Sequence, residues 1–134
     1  MITVCALADL YRAQGKETDA DKLLRRAVKV SPGNANIHHA LGLSLVRQQR
    51  AEEGLEELRL ASTLNPANAR FINVYAVALN SSGQPEQAVM ILQGAHNQHA
   101  NNRDILSALA AFHRDMGNQA AARRYADKLR SNSP

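Results

Sequence analysis

The sequence predicts an all-α chain built as a stacked array of helix pairs. Three observations lead there. Pro32 and Pro66 stand 34 residues apart, and Pro134 lies two further periods on. Small residues recur at that same interval in three columns: Ala8, Gly42, Ala76 and Ala110; Ala20, Gly54, Ala88 and Ala122; Ala27, Ala61 and Ala95. Inside each period the apolar residues fall at helical spacing rather than in strand alternation. A fixed period of this length marks units that bury their apolar faces on one another.

The elements run in order along the chain. Val4, Leu7, Ala8 and Tyr11 share one face of a first helix over about 2–14, which Gly15 closes as a C′ glycine. Thr18 and Asp21 read as a capping box that opens a second helix over about 18–31. Ala20, Leu24 and Ala27 form its inner face, with Leu23 and Val30 alongside; Pro32 and Gly33 end it, and Asn34 caps the third helix. That third helix, 35–48, carries His38, Leu41, Gly42 and Leu45 inward, and the fourth, 52–64, carries Gly54, Leu58 and Ala61. Pro66 and Asn68 introduce the fifth, 69–81, with Ile72, Tyr75, Ala76 and Leu79. Gly83 leads to the sixth, 85–98, where Pro85 sits in the first turn and its missing N–H is harmless. Leu106, Leu109, Ala110 and His113 mark the seventh, 103–116, and Gly117 leads to the eighth, 119–131, with Ala122, Ala126 and Leu129.

The small-residue columns have a steric cause. Antiparallel helices joined by a few residues pack closely, and a large side chain at the point of nearest approach holds them apart. Ala8 is expected to face Ala20, and Gly42 to face Gly54. The third column is expected to meet the next pair. Leu129 breaks that column in the last unit, which favours an array end near Pro134.

Composition narrows the function. The chain has 134 residues, a net charge of +4, no Trp and 4% aromatic residues, so its core is aliphatic. The positive charge concentrates at the two ends of the chain and reads as solvated helix faces. Without stacking aromatics it does not make a nucleic-acid surface, and no nucleic acid is expected. No apolar run reaches the roughly 20 residues of a membrane span. Cys5 is the single cysteine and has no basic neighbour in sequence to activate it.

The alternation resembles the tetratricopeptide repeat. In the first unit the resemblance rests on Leu7, Ala8, Tyr11, Gly15, Ala20, Leu24, Ala27 and Pro32, and it extends over the whole chain as four units, about 1–34, 35–68, 69–102 and 103–134. The Trp often found at Val4 is absent from every unit, aliphatics replace aromatics near Leu24, and Ala100 stands where Pro is usual. The resemblance implies a right-handed superhelical array of antiparallel helix pairs. No linker interrupts it, so a single domain over residues 1–134 is expected.

The resemblance also implies where partners bind: first helices line a concave groove. Carried onto this chain, the groove takes His39, Leu43 and Arg47 from the second unit and Arg70, Asn73, Val77 and Asn80 from the third, flanked by Ile2, Cys5 and Asp9 in the first. Amides there suit an extended peptide backbone, the arginines suit a carboxylate, and the aliphatics suit an apolar side chain. The expected function is a non-catalytic scaffold that binds a protein or peptide segment in this groove. The carboxylate-clamp residues of some family members are not reproduced; of the matching positions Cys5, Asp9, Ala40, Arg70 and Val74, only Arg70 has suitable chemistry. The alternative is self-association or docking within a larger protein, through Ile2 and Val4 at one open end and Tyr125 and Leu129 at the other.

Other constellations carry less. His96 and His99 are two metal-type ligands without a third, and read as surface or helix-capping residues. His38 and His39 point to different faces. His113 reads as a hydrogen-bonded, partly buried histidine. Glu52, Glu53, Glu56 and Glu57 open a helix, where negative charge suits the macrodipole. No phosphate loop or nucleophile elbow occurs, so neither a catalytic residue, a metal site nor a cofactor is expected.

Overall fold

The computed structural model describes residues 3–131; the expectations for Ile2 and Pro134 lie outside the described residues. Among the described residues there are eight α-helices and no strand: α1 (Val4–Ala13), α2 (Glu17–Val30), α3 (Ala35–Arg47), α4 (Ala51–Leu64), α5 (Ala69–Ser81), α6 (Pro85–Gln98), α7 (Arg103–Asp115) and α8 (Gln119–Ser131). The chain divides into two compact units, Met1–Asn65 and Pro66–Pro134.

In the first unit α1 packs on α2, α2 on α3 and α3 on α4, and α1 also touches α3. Ala8, Ala20, Leu24, Ile37, Leu41 and Leu45 form one buried cluster, with Tyr11, Leu23, Ala27 and Val28 against it. Val30, expected beside the inner face, is 83% exposed. It is the last residue of α2 and lies beyond the reach of that cluster, so Val28 packs instead.

The α3–α4 contact is the tightest in this unit. A Cβ placed on Gly54 would lie 2.7 Å from Val46 Cγ2, 3.0 Å from the Gly42 carbonyl oxygen and 3.1 Å from the Val46 nitrogen. One placed on Gly42 would lie 2.7 Å from Leu58 Cγ. The two helices therefore meet backbone against backbone, as the paired glycine columns require.

Helix starts alternate in kind. Thr3 Oγ1 accepts from the Ala6 N–H (3.1 Å) and Asn34 Oδ1 from the Ile37 N–H (3.3 Å), so α1 and α3 have side-chain N-caps. Lys16 and Arg50, at the N-caps of α2 and α4, make none. The expected Thr18–Asp21 capping box does not form: α2 begins at Glu17, which places Thr18 inside the helix, and Asp21 instead pairs with Arg25 at 2.7 Å.

The turn between α1 and α2 uses Gly15 at φ 77°, whereas the residue one period later, Gln49, adopts φ 65°. An L side chain in that region costs energy that glycine avoids. Gln49→Gly is expected to stabilise the chain by about 0.5–1 kcal/mol, the relieved strain less glycine's extra unfolded-state entropy, read as a raised urea midpoint.

In the second unit α5 packs on α6, α6 on α7 and α7 on α8, with α5 also against α7. Ala76, Ala88, Leu92, Ile105, Leu106 and Leu109 are completely buried. Asn68 and Asn102 cap α5 and α7 through the Phe71 and Ile105 N–H groups (3.2 and 3.1 Å). Gly83 and Gly117 take positive φ at the turns, and Pro85 is the first residue of α6. Among the described residues no helix is long and apolar enough to cross a membrane.

Candidate functional site

The sequence-predicted contact residues lie on first helices, and each unit presents its own set. Within Met1–Asn65 the main set sits on α3, with the flanking Cys5 and Asp9 on α1. Leu43 is half-buried and Arg47 exposed near the C-terminal end of α3, beside Val46, which is also exposed. Arg47 already has a neighbour: Glu17 Oε1 of α2 lies 3.6 Å from its guanidinium, and the same oxygen accepts from Ser44 Oγ at 2.8 Å. A partner carboxylate at Arg47 must compete with Glu17.

His39 departs from expectation. It is only 6% exposed, while on α1 Cys5 Sγ lies 3.6 Å from the Asn36 carbonyl oxygen. His39 is therefore a buried side chain rather than an open one. Cys5 is equally unsuited to chemistry: burial, then the nearby Asp9 charge, raises its thiol pKa above the ordinary value.

In the second unit the set sits on α5. Arg70 and Val77 are exposed, and Asn73 and Asn80 half-buried, on a single helix face. Val77 keeps 43% of its surface open, unusual for a valine flanked by the buried Ala76 and Ala78. Asn73 Oδ1 is shielded from solvent without a hydrogen-bond partner, which leaves the amide group polarised and incompletely satisfied. Ser107 and Arg114 of α7, which packs on α5, are exposed as well. The face combines a cation, two amides and an exposed valine.

The histidines resolve differently from one another. His96 Nε2 lies 3.1 Å from Lys128 Nζ, whereas His99 Nε2 lies 3.4 Å from the Pro66 carbonyl oxygen, so the two serve separate neighbours. Burial, and secondarily the Lys128 charge, lowers the His96 pKa. Among the described residues no group of three or more His, Cys, Asp or Glu lies together in a way that could hold a metal ion. His113 is buried but not hydrogen-bonded through its ring, contrary to expectation; it stacks on Tyr125 at 5.6 Å and 10°. Tyr125 is thereby enclosed, with His96 edge-on at 5.7 Å, and does not offer the open-end contact assigned to it from sequence.

One polar constellation goes beyond the sequence reading. His38, buried in the first unit, places Nδ1 2.5 Å from Glu57 Oε2 and Nε2 2.6 Å from the Pro32 carbonyl oxygen. Both partners are acceptors, so both ring nitrogens donate only in the imidazolium form. Burial opposes that charge most strongly, yet the hydrogen bonds to Glu57 and Pro32, with the Glu57 charge, outweigh it, and the pKa is raised. The signal lay in the columns. His38 and Glu57 occupy the positions held by Val4 and Leu23 one period earlier and by Ile72 and Ile91 one period later. The acidic run on α4 is likewise divided among partners: Glu53 to Arg50 and Arg25, Glu56 to Arg59, Glu57 to His38.

Known proteins share this architecture. The family model described as tetratricopeptide repeat matches residues 3–132. The uncharacterized protein y4yS of Sinorhizobium fredii is 30% identical over 94 residues, covering 70% of this chain and 51% of that protein. The Vi polysaccharide export protein VexE of Salmonella typhi is 29% identical over 118 residues, 85% of this chain and 18% of that protein. The chain thus spans about half of the first relative and a smaller part of the second. Among solved structures, MamA superposes with a TM-score of 0.84 at 17% identity, covering 96% of this chain and 75% of that one. Pseudomonas aeruginosa pilF gives a TM-score of 0.81 at 23% identity, covering 98% and 60%. At such identities the likeness is one of fold.

Proposed function

The chain belongs to the tetratricopeptide-repeat family, and from that premise we propose that it is a non-catalytic scaffold that binds a segment of a partner protein through the exposed faces of its first helices. The repeat fold is typical of protein-interaction scaffolds. The observation that carries the finer reading is the α5 face, where Arg70 and Val77 remain open beside Asn73 and Asn80 while Phe71, Ile72, Tyr75, Ala76, Ala78 and Leu79 are buried. Leu43, Val46 and Arg47 offer a similar mixture on α3. Such a surface suits an extended or helical peptide: side-chain amides meet its backbone, an arginine meets a carboxylate and the valines meet an apolar residue.

The test is affinity capture with the intact chain and with an Arg47→Glu, Arg70→Glu variant. Both positions are exposed, so the variant is expected to fold and melt as the parent does while losing its captured protein. Retention of the same protein at the same yield would remove α3 and α5 as the binding faces.

A further inference from the structure

A neutral imidazole carries one N–H, yet the His38 ring faces two acceptors. Glu57 Oε2 of α4 lies 2.5 Å from its Nδ1, and the Pro32 carbonyl oxygen, in the turn between α2 and α3, lies 2.6 Å from its Nε2. The residue is 4% exposed, so little solvent is at hand to replace either partner.

The two acceptors are unequal. A hydrogen bond to a carboxylate is roughly twice as strong as one to a neutral carbonyl. Glu57 also sits in the middle of α4, which meets α3 backbone against backbone at Gly42 and Gly54. Pro32 belongs to a turn whose residues Ser31, Pro32, Gly33 and Asn34 are all exposed. Among the described residues nothing lies within 4 Å of the absent Cβ of Gly33. The turn can therefore shift without displacing packed side chains, and the Pro32 carbonyl can take water in place of the ring.

We propose that His38 is a pH-operated latch on the α2–α3 turn: as the imidazolium it ties Pro32 to Glu57, and on losing its Nε2 proton it releases the turn while keeping Glu57. In the neutral ring the remaining proton stays at Nδ1, against the carboxylate. Nε2 then turns a lone pair on the Pro32 oxygen, and the two repel. The start of α3 depends on this turn. The Asn34 N–H bonds the Ser31 oxygen at 3.1 Å, and Asn34 Oδ1 caps α3 through the Ile37 N–H at 3.3 Å. Release of Pro32 therefore loosens the cap and Ile37, a member of the buried cluster.

The direction of the switch follows from the charges around the ring. Helices α1, α2 and α4 pack against α3. Asp9 on α1 pairs with Arg12, while Glu17 and Asp21 on α2 turn to Ser44 and to Arg25. Glu53 and Glu56 on α4 pair with Arg50 and Arg59. Asp19, Lys22, Arg26, Lys29 and Glu52 are exposed. Glu57 supplies the charge that acts on His38 and favours the imidazolium. The latch is thus closed below the ordinary histidine range and opens as pH rises through the elevated folded value.

Two measurements on the intact chain test this. Nitrogen–proton correlation spectra of the His38 ring, taken from about pH 5.5 to about pH 9, report which nitrogen keeps its proton. At the alkaline end it is expected at Nδ1. Amide hydrogen exchange over the same range, corrected for the intrinsic rate, is expected to show protection at Asn34, Ile37 and His38 falling about tenfold, while that of Leu58 and Ala61 on α4 holds. The paired change His38→Ile with Glu57→Ile is expected to abolish the fall; if that variant does not fold, the two measurements on the parent decide. The proposal is overturned if the neutral ring keeps its proton at Nε2, or if the ring stays doubly protonated throughout. It is equally overturned if protection at the turn is unchanged, falls alike from α1 to α4, or falls as much in the paired variant.

Discussion

Gly54→Ala is expected to destabilise the chain by about 2 kcal/mol, although alanine is the better helix former. The added methyl meets Val46 Cγ2 at 2.7 Å, and behind it two backbone atoms, the Gly42 oxygen and the Val46 nitrogen, stand at 3.0 and 3.1 Å. A side chain can rotate away from such a contact, but a helix backbone yields only by moving the helix. Overpacking of this kind costs about 1–3 kcal/mol, which exceeds the gain of about 1 kcal/mol that alanine brings to a helix interior. Gly94, also within a helix, supplies the control: nothing lies within 4 Å of its absent Cβ, so Gly94→Ala is expected to stabilise by up to about 1 kcal/mol. Urea unfolding of both variants gives opposite signs if the α3–α4 approach is as close as described; two stabilising substitutions would refute it.

The second large effect depends on pH. The His38 pKa is raised in the folded chain above its unfolded value of about 6.5. Its contribution to stability is therefore fully present below that unfolded value and is lost as pH rises through the folded one. Glu57→Gln removes the charge that favours the imidazolium and is expected to cost about 1–3 kcal/mol below about pH 6.5, with the loss shrinking at higher pH. The paired change His38→Ile with Glu57→Ile, which copies Ile72 and Ile91, is expected to hold or raise stability, because a buried ion pair repays little beyond its own desolvation. It should also flatten the pH dependence above neutrality. Parallel stability–pH curves for the parent and the paired variant would show that His38 is not held as an imidazolium.

These two cases show what the amino-acid sequence discloses. The period and its small-residue columns locate all eight helices within two residues of their ends, because helix packing leaves a regular imprint. Asn34 and Asn68 are legible as caps because an N-cap needs only local geometry. The Thr18–Asp21 cap is misleading because Asp21 is drawn away by Arg25 and Gln48, and Gln48 comes from another helix pair. His38 and Glu57, 19 residues apart, are visible only as two polar residues in apolar columns, and their pairing requires the tertiary contact. Periodicity places His39 on an open face because it assigns a side of the helix but not how far that side is covered. On α5, where Arg70 and Val77 are exposed, the same assignment matches the observed exposure.

The lone thiol gives the first unit a built-in reporter. Cys5 sits where α1 meets α3, half-buried against the Asn36 carbonyl and held in its protonated form by its surroundings. Parting of those two helices opens it further to an alkylating reagent. Its rate of modification therefore rises when the first hairpin swings away from the second, without any label being added to the chain.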